Sequence, residues 1–296
     1  MQIEIAHIAS DLPLIDLSIG AVQRLGRPAA IFSLLFALES LSGAPGRRYL
    51  SRSFLIDLLH FLFYGLGMFI FLVLNPVVAL LTPFFELFRF PFLSSLPPVF
   101  AYPLIVIYGD FVSYWIHRAQ HRSKLLWSFH SVHHTATRLT SVTVFRRHIG
   151  ESIFASILKY ALIFMPLQMV VKDVWYAGMV TLAIEVLVSM HHAELNWNYG
   201  FLSPLLVSPV FHGVHHSSNP EHHHANFGML LSVWDHLFGT AIRAEVRPGV
   251  YGLRDEALDQ MGLRETVYGQ TLAPLVVFFS SLVRRSPRRY PEIADA

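Results

Sequence analysis

The amino-acid sequence predicts an all-α protein built as an integral membrane helical bundle of about four spanning helices. Hydrophobic residues make up 53% of the 296 residues and charged residues only 14%, about half the charged share of an ordinary soluble domain. Apolar runs long enough to cross a bilayer recur along the chain. The 17 histidines nearly equal the 20 Asp and Glu residues in number, which suggests metal binding.

Composition also excludes several classes of protein. The high apolar content argues against intrinsic disorder, a collagen-like fibre and a basic nucleic-acid-binding domain, and the net charge of +2 is too small to indicate an anionic partner. Cysteine is absent from the sequence. Disulfides, cysteine-ligated zinc, iron–sulfur clusters and thiol catalysis are therefore excluded.

The first part of the chain contains one short and one long apolar segment. No secretory signal is expected at the start, because its charges are scattered through short apolar runs. Pro28 to Leu41 is apolar except for Glu39 and is too short to span, so it predicts an interfacial helix. Phe54 to Leu81 has 28 residues, which would reach about 42 Å as a helix and predict the first span. Asn75-Pro76 is expected to kink or end it.

Three further apolar runs predict the remaining spans, at Val99 to Ile116, Ser152 to Val171 and Val174 to Met190. The last two are joined by Lys172-Asp173, and so tight a join predicts a helical hairpin. Asp110, Lys159 and Glu185 lie within these runs. Ionisable residues inside a span are expected to face the bundle interior or a cavity.

The distribution of basic residues predicts the orientation of the bundle. Basic side chains cluster before the first run and after the second, at Arg47, Arg48, Arg52, Arg118, Arg122, Lys124, Arg138, Arg146 and Arg147. Positive-inside reasoning therefore places the start, the centre and the histidine-rich C-terminal part in the cytoplasm. We divide the chain into an N-terminal cytoplasmic or interfacial segment at 1–53, a membrane catalytic domain at 54–240, and a tail at 241–296 with an interfacial helix at Leu272 to Val283.

Histidines follow the predicted spans in closely spaced groups. His117-x-x-x-His121 is followed by HSVHH at 130–134, by His191-His192, by HGVHH at 212–216 and by His222-His223-His224. Residues at i, i+3 and i+4 share one face of a helix, so each HxxHH group is expected to direct three imidazoles one way. Imidazole suits zinc, copper, iron and nickel. Two such groups plus HxxxH supply eight nitrogens, enough for two metal ions.

These segments, in this order, resemble the membrane-bound fatty acid hydroxylase/sterol desaturase superfamily over roughly residues 39–240. The matching strings are DFVSYWIHRAQH at 110–121, HSVHH, HHAELNW at 191–197, SPVFHGVHH at 208–216 and ANFGMLLSVWDHLFGT at 225–240. The resemblance implies a membrane oxidoreductase whose cytoplasmic, histidine-rich helical cap holds two iron ions. Such an enzyme uses O₂ and two electrons to hydroxylate or desaturate a lipid, and zinc could replace the iron on purification.

The spacing and the resemblance together select nine metal ligands. They are His117, His121, His130, His133, His134, His192, His212, His215 and His216. His192 is included because it matches the intervening histidine of the family, although Glu194 stands where relatives often have Asn. Its neighbour His191 is expected to point away, since adjacent helical residues diverge by about 100°.

Other polar residues near these groups of histidines (the histidine boxes) are expected to have supporting roles. His148 is expected to be structural or to support a ligand, and His222 and His223 to be dispensable for metal binding. His224 stays open as a tenth ligand. Four nearby carboxylates are candidate acceptors for ligand N–H groups, namely Asp110, Glu151, Glu194 and Asp235.

Two alternatives to an oxygenase stay open, another histidine-metal enzyme on long-chain lipids, such as an aldehyde lyase, and a metal-ion transporter. A transporter should place its ligands at the midplane of the spans, whereas these histidines follow the spans. A zinc peptidase is disfavoured because HExxH is absent. The sequence also lacks a Gly-rich dinucleotide fingerprint and a cysteine cluster. An external electron donor is therefore expected, of the cytochrome b5, ferredoxin or reductase type, together with a lipid substrate and no nucleic acid.

Overall fold

The computed structural model describes residues 14–43, 46–65, 67–85, 96–164, 174–253, 271–272 and 274–279, and the regular secondary structure within these ranges is helical. The α-helices are α1 (Leu14–Leu41), α2 (Arg52–Gly65), α3 (Asn75–Phe85), α4 (Pro98–Arg122), α5 (Lys124–His130), α6 (Ile149–Lys159), α7 (Val174–His192), α8 (Pro209–His215) and α9 (Val233–Leu237). Short 3₁₀ or π turns connect several of them. The described ranges contain two isolated β-bridges, Leu206 with Leu231 and Ser217 with Tyr251, and no longer strand.

Helix α4 is apolar and long enough to cross a membrane. It begins at Pro98, where a proline fits the first helical turn because the N–H it lacks would have no helical partner. Its stretch Val99–Arg122 has 24 residues with a mean hydropathy of 1.5. Within the described ranges this is the one helix of that length and composition, and the apolar stretches Pro28–Leu41 and Met179–His192 are shorter.

The apolar run predicted as one continuous first span is divided in the structure. Helix α2 ends at Gly65, and Gly67 adopts a left-handed backbone conformation with φ of +76°, which glycine reaches at little steric cost. A π turn over Ile70–Leu74 then leads into α3. The irregular turn directly precedes Asn75-Pro76, as expected where proline removes a helical N–H donor.

The last two predicted spans are described in part. The third begins as α6 and continues as a π turn over Tyr160–Phe164, and the fourth is α7. The Lys172-Asp173 join of the predicted hairpin lies outside the described residues, as does most of the connector between α3 and α4. Of the predicted C-terminal interfacial helix, residues 274–279 are described and are helical.

A buried arginine ties the N-terminal helices to the histidine-bearing part of the chain. Arg146 is fully buried, and its guanidinium donates to the Asp57 carboxylate and the Ser53 carbonyl of α2 and to the Thr135 hydroxyl at 3.2 Å. Removing one partner of such a buried ion pair costs about 3–5 kcal/mol. The turn at Ser141–Phe145 packs against both α2 and α7, so this pair fixes where α7 meets the centre of the protein.

Candidate metal centre

The structure brings all nine predicted ligand histidines together in two buried clusters. The five-histidine cluster contains His117, His121, His130, His134 and His215. The four-histidine cluster contains His133, His192, His212 and His216. In each cluster the possible ligand nitrogens all lie within 4.8 Å of one another. The clusters adjoin, since the rings of His134 and His216 stack with centroids 4.6 Å apart.

Each HxxHH box contributes to both clusters, which differs from the expectation that a box directs all three imidazoles one way. In HSVHH, the outer pair His130 and His134 joins the five-histidine cluster, while His133 joins the four-histidine cluster. In HGVHH the outer pair joins the four-histidine cluster and His215 joins the other. The reason is that the two adjacent histidines at the end of each box point about 100° apart around a helix, so they reach different clusters.

The inner nitrogens of the rings converge on one another. In the five-histidine cluster, Nε2 of His130 lies 3.2 Å from Nε2 of both His117 and His134. In the other cluster, Nε2 of His212 lies 3.0 Å from that of His192 and 3.1 Å from that of His216. Convergent ring nitrogens at these separations form a donor set suited to a cation.

Backbone carbonyls on the outer side of the rings set the tautomers. Nδ1 lies within hydrogen-bond distance of a carbonyl oxygen in His117 (2.9 Å to Phe227), His133 (3.0 Å to Arg146), His192 (3.1 Å to Val188) and His215 (2.8 Å to Ala225). A ring that donates from Nδ1 keeps a lone pair on Nε2. The inner lone pairs therefore face each other, and Nε2 of His121 and His215 is buried without a hydrogen-bond partner. A metal ion fits this arrangement because it accepts these lone pairs.

Burial favours the neutral form of His215 and His134. Burial lowers the pKa of His215 to about 3, against the opposing effect of its hydrogen bond to Ala225. Burial, reinforced by the neighbouring His215, also holds the pKa of His134 well below its ordinary value. Metal ions bind the neutral imidazole, so burial of these two rings favours the form that can hold metal.

One of the four candidate carboxylates contacts a histidine of the clusters directly. Oε1 of Glu151 lies 2.7 Å from Nδ1 of His130 and accepts a hydrogen bond from the Gln120 amide at 3.2 Å. Asp235 contacts His117 only through Phe227. It accepts a hydrogen bond from the Phe227 N–H at 2.7 Å, and the carbonyl of Phe227 accepts one from His117.

The other two carboxylates have different partners. Asp110 accepts hydrogen bonds from the backbone N–H groups of Leu230 and Leu231 and from the Trp234 indole. Glu194 lies 3.4 Å from the Arg48 guanidinium. Both therefore hold segments of the fold together without touching a histidine of the clusters.

The other histidines among the described residues lie outside both clusters. His191 is buried and hydrogen-bonds to the backbone of Val207, which agrees with its predicted divergence from His192. His148 caps α6, since its Nδ1 accepts from the Gly150 N–H at 3.0 Å. The His224 ring centroid is 6.2 Å from that of His121, and the residue belongs to neither cluster.

A segment after the histidine boxes packs against both clusters, and it contains none of the residues predicted for the site. The Arg247 guanidinium is buried and donates to the Ala193 carbonyl, directly after His192, and to the Tyr251 hydroxyl at 3.0 Å. The N–H of Leu253 donates to the His134 carbonyl at 2.6 Å. This strap, residues 247–253, carries no histidine, so no motif could have indicated it.

Glycine at position 213 makes room for the strap. A Cβ at Gly213 would lie 3.2 Å from Arg247 Nε and 3.4 Å from its Cζ. The small residue inside HGVHH therefore lets the arginine pass between α7 and α8.

Comparison with known proteins finds sequence similarity over the region that carries the histidine clusters. The fatty acid hydroxylase family model matches residues 102–240. Alkylglycerol monooxygenase of Homo sapiens is 33% identical over 145 residues, which are 49% of this chain and 31% of that protein. The ornithine lipid hydroxylase OlsE of Rhizobium tropici is 31% identical over 147 residues, 49% of this chain and 42% of that protein. Delta(7)-sterol 5(6)-desaturase erg3B of Aspergillus fumigatus is 28% identical over 177 residues, 56% of this chain and 49% of that protein.

The fold and the centre define a helical protein with paired histidine clusters able to hold metal ions. Residues 102–240 are similar to the fatty acid hydroxylase family and to lipid hydroxylases and a sterol desaturase, and the resemblance predicted from the histidine boxes is confirmed. The matched region spans less than half the length of each of these relatives. No solved structure matches the chain significantly.

Proposed function

We propose that the protein is a membrane-bound di-iron oxidoreductase that uses O₂ and external electrons to hydroxylate or desaturate a lipid. The observation that carries this proposal is the pair of adjoining clusters of buried histidines whose inner nitrogens converge. Breaking an unactivated C–H bond with O₂ requires a redox-active metal, and imidazole is a suitable ligand for iron.

The nine histidines are the proposed iron ligands, five at one ion and four at the other. Iron would supply O₂ binding and the electron transfer that C–H oxidation requires. The chain's own residues hold the centre. The carbonyls of Phe227, Arg146 and Ala225 orient His117, His133 and His215, and Glu151 orients His130. In hydroxylation, one oxygen atom of O₂ enters the C–H bond and the other leaves as water, with two electrons and two protons supplied from outside.

We propose a multi-pass topology with about four spanning helices and the metal centre on the cytoplasmic side, within a catalytic domain at 54–240. Support comes from the apolar stretch Val99–Arg122 and from its exposed apolar side chains, such as Phe100, Leu104 and Ile107. His117 and His121 lie in the last two turns of α4, which favours a centre beside the membrane surface. A metal-ion transporter is less well supported, because ligands at the ends of helices do not line a path across the bilayer.

A lipid substrate is supported by the names of the relatives, which are a monooxygenase of alkylglycerols, a hydroxylase of ornithine lipids and a sterol desaturase. A mostly apolar cavity of about 680 Å³ also lies between α1, α2 and α7, within the size range of small-molecule sites, roughly 300–1,000 Å³. Val188 lines this cavity, and its carbonyl accepts from His192. Glu185, the carboxylate expected to face the interior or a cavity, also lines it.

The proposed electron donor is a separate protein of the cytochrome b5, ferredoxin or reductase type. The exposed basic side chains of Arg47, Arg52, Arg122, Lys124 and Arg138 could attract an acidic donor. Arg48 and Arg146 cannot take part, because both are buried in ion pairs.

Isotope labelling tests the proposal. Cells that express the chain are grown under ¹⁸O₂, and their lipids are compared by mass spectrometry with those of cells expressing His215→Ala. A hydroxylase would add one ¹⁸O atom to a lipid class, whereas a desaturase would remove two hydrogen atoms. Identical lipid profiles in the two strains, with both proteins folded in the membrane and a donor co-expressed, would contradict the proposal.

A further inference from the structure

The loop from Trp197 to Leu205 presents apolar side chains to its surroundings. Phe201 is 89% exposed and Leu205 is 48% exposed, and Trp197 and Leu202 are also exposed. The stretch 195–211 contains no Asp, Glu, Lys or Arg. Clustered exposed apolar residues in a loop of this composition mark a contact surface.

Hydrogen bonds tie this loop to the middle of α4. Asp110 of α4 accepts from the N–H groups of Leu230 at 2.9 Å and Leu231 at 3.0 Å. The next residue, Ser232, donates its N–H to the Leu205 carbonyl at 3.1 Å. An antiparallel bridge between Leu206 and Leu231 adds a second connection. The loop therefore lies at the level of Asp110 along α4.

That level is well inside the apolar part of α4. Asp110 precedes Ile116, the end of the apolar run, by six residues, which is about 9 Å along a helix. Apolar faces of interfacial segments are buried to about 5–10 Å in a bilayer. Trp197 and Tyr199, both in the first half of the loop, are residue types enriched at the membrane interface.

We propose that the loop 197–205 inserts into the lipid bilayer beside α4 and forms a membrane anchor separate from the spanning helices. This inference rests on the proposed topology, in which α4 crosses the membrane. The bilayer is the occupant because α4, to which the loop is tied, also exposes large apolar side chains, which include Leu104, Ile107 and Trp115. The chain runs from the loop into α8, which carries His212 and His215. The anchor therefore fixes the depth of the metal centre relative to the lipid.

Single cysteines carrying nitroxide spin labels test the anchor in the full chain, and the labelling is specific because the chain has no cysteine of its own. The variants are Phe201→Cys and Leu205→Cys in the loop, Leu104→Cys as a lipid-exposed reference on α4, and Glu245→Cys as an exposed charged reference. Each is reconstituted in phosphatidylcholine vesicles. Power-saturation EPR then measures collisions with O₂, which concentrates in lipid, and with chromium oxalate, which stays in water.

The anchor predicts that labels at 201 and 205 resemble the label at 104, with an O₂-to-chromium-oxalate ratio severalfold higher than at 245. If 104 is lipid-exposed but 201 and 205 match 245, the anchor is wrong while the topology stands. Shielding of 201 from both reagents would also overturn it, because it would indicate cover by protein. If 104 itself is exposed to water, the proposed topology fails and the anchor fails with it.

Discussion

Replacing Glu151 with Gln should weaken iron binding at one cluster and spare the other. The Glu151 carboxylate lies 2.7 Å from Nδ1 of His130, and its other oxygen is buried without a hydrogen-bond partner. His130 belongs to the five-histidine cluster alone. Glutamine keeps the size and one acceptor oxygen but removes the negative charge that increases the basicity of the ring.

The expected loss of metal affinity follows from the change in this one contact between residue 151 and His130. Loss of such a partner lowers metal affinity about 10–100-fold, which corresponds to about 1.4–2.8 kcal/mol. Because Gln can still accept from His130, we expect about tenfold for Glu151→Gln and about a hundredfold for Glu151→Leu. The matched control is Glu194→Gln, whose carboxylate faces Arg48 at 3.4 Å.

Chelator competition on the purified protein, followed by counting the iron retained per chain, measures the effect. The Glu151 variants should lose one iron at a chelator concentration where the control keeps two. Equal retention by Glu151→Leu and the control would refute the role assigned to this carboxylate. Loss of both ions together would instead show that the two clusters bind as one unit.

Three further predictions follow from the centre. His215→Ala should abolish activity and lower the metal content of the protein. His223 lies outside both clusters, so His223→Ala should leave the metal content nearly unchanged. Elemental analysis showing the reverse would contradict the proposed ligand set. Arg247→Met should lower the free energy of unfolding, measured in denaturant titrations, by about 2–3 kcal/mol, because it leaves buried acceptors unpaired. The control Arg243→Met changes an exposed residue and should stay within about 0.5 kcal/mol of the unsubstituted protein. Equal effects of the two substitutions would contradict a stabilising role for the strap. Burial lowers the pKa of His215 to about 3 from 6.5, so the unfolded chain binds a proton at this residue more readily than the folded chain. The free energy of unfolding of the metal-free protein should therefore be highest above about pH 6.5 and fall toward pH 3. The decrease should reach up to about 1.4 kcal/mol per pH unit for each such histidine. Equal unfolding midpoints at pH 7.5 and 5.5 would contradict this.

The histidine pattern predicts which side chains meet, because spacing at i, i+3 and i+4 and the order of the boxes are properties of the sequence. His192 was selected by resemblance alone, and it meets His133 and His212 through the packing of α7 against the other boxes. The division of each box between two clusters was not predictable. It depends on the tertiary packing that brings two clusters side by side, so that adjacent histidines such as His215 and His216 reach different ones.

Hydropathy gives the positions of the apolar runs but not their breaks. The run from Phe54 to Leu81 contains glycines that a composition window averages away, and Gly67 interrupts the helix there. The strap around Arg247 and the ion pair of Arg146 with Asp57 join residues far apart in sequence. Such contacts depend on tertiary packing, for which a local pattern carries no signal.

We propose that this chain holds two iron ions in its two histidine clusters. Elemental analysis of well-folded protein, purified after expression in iron-supplemented medium, tests it most directly when combined with Mössbauer spectroscopy on ⁵⁷Fe-loaded samples. We expect two metal ions per chain, both lost when the two clusters are disrupted together by His117→Ala and His212→Ala. A well-folded, active protein that holds one metal ion or none would contradict it.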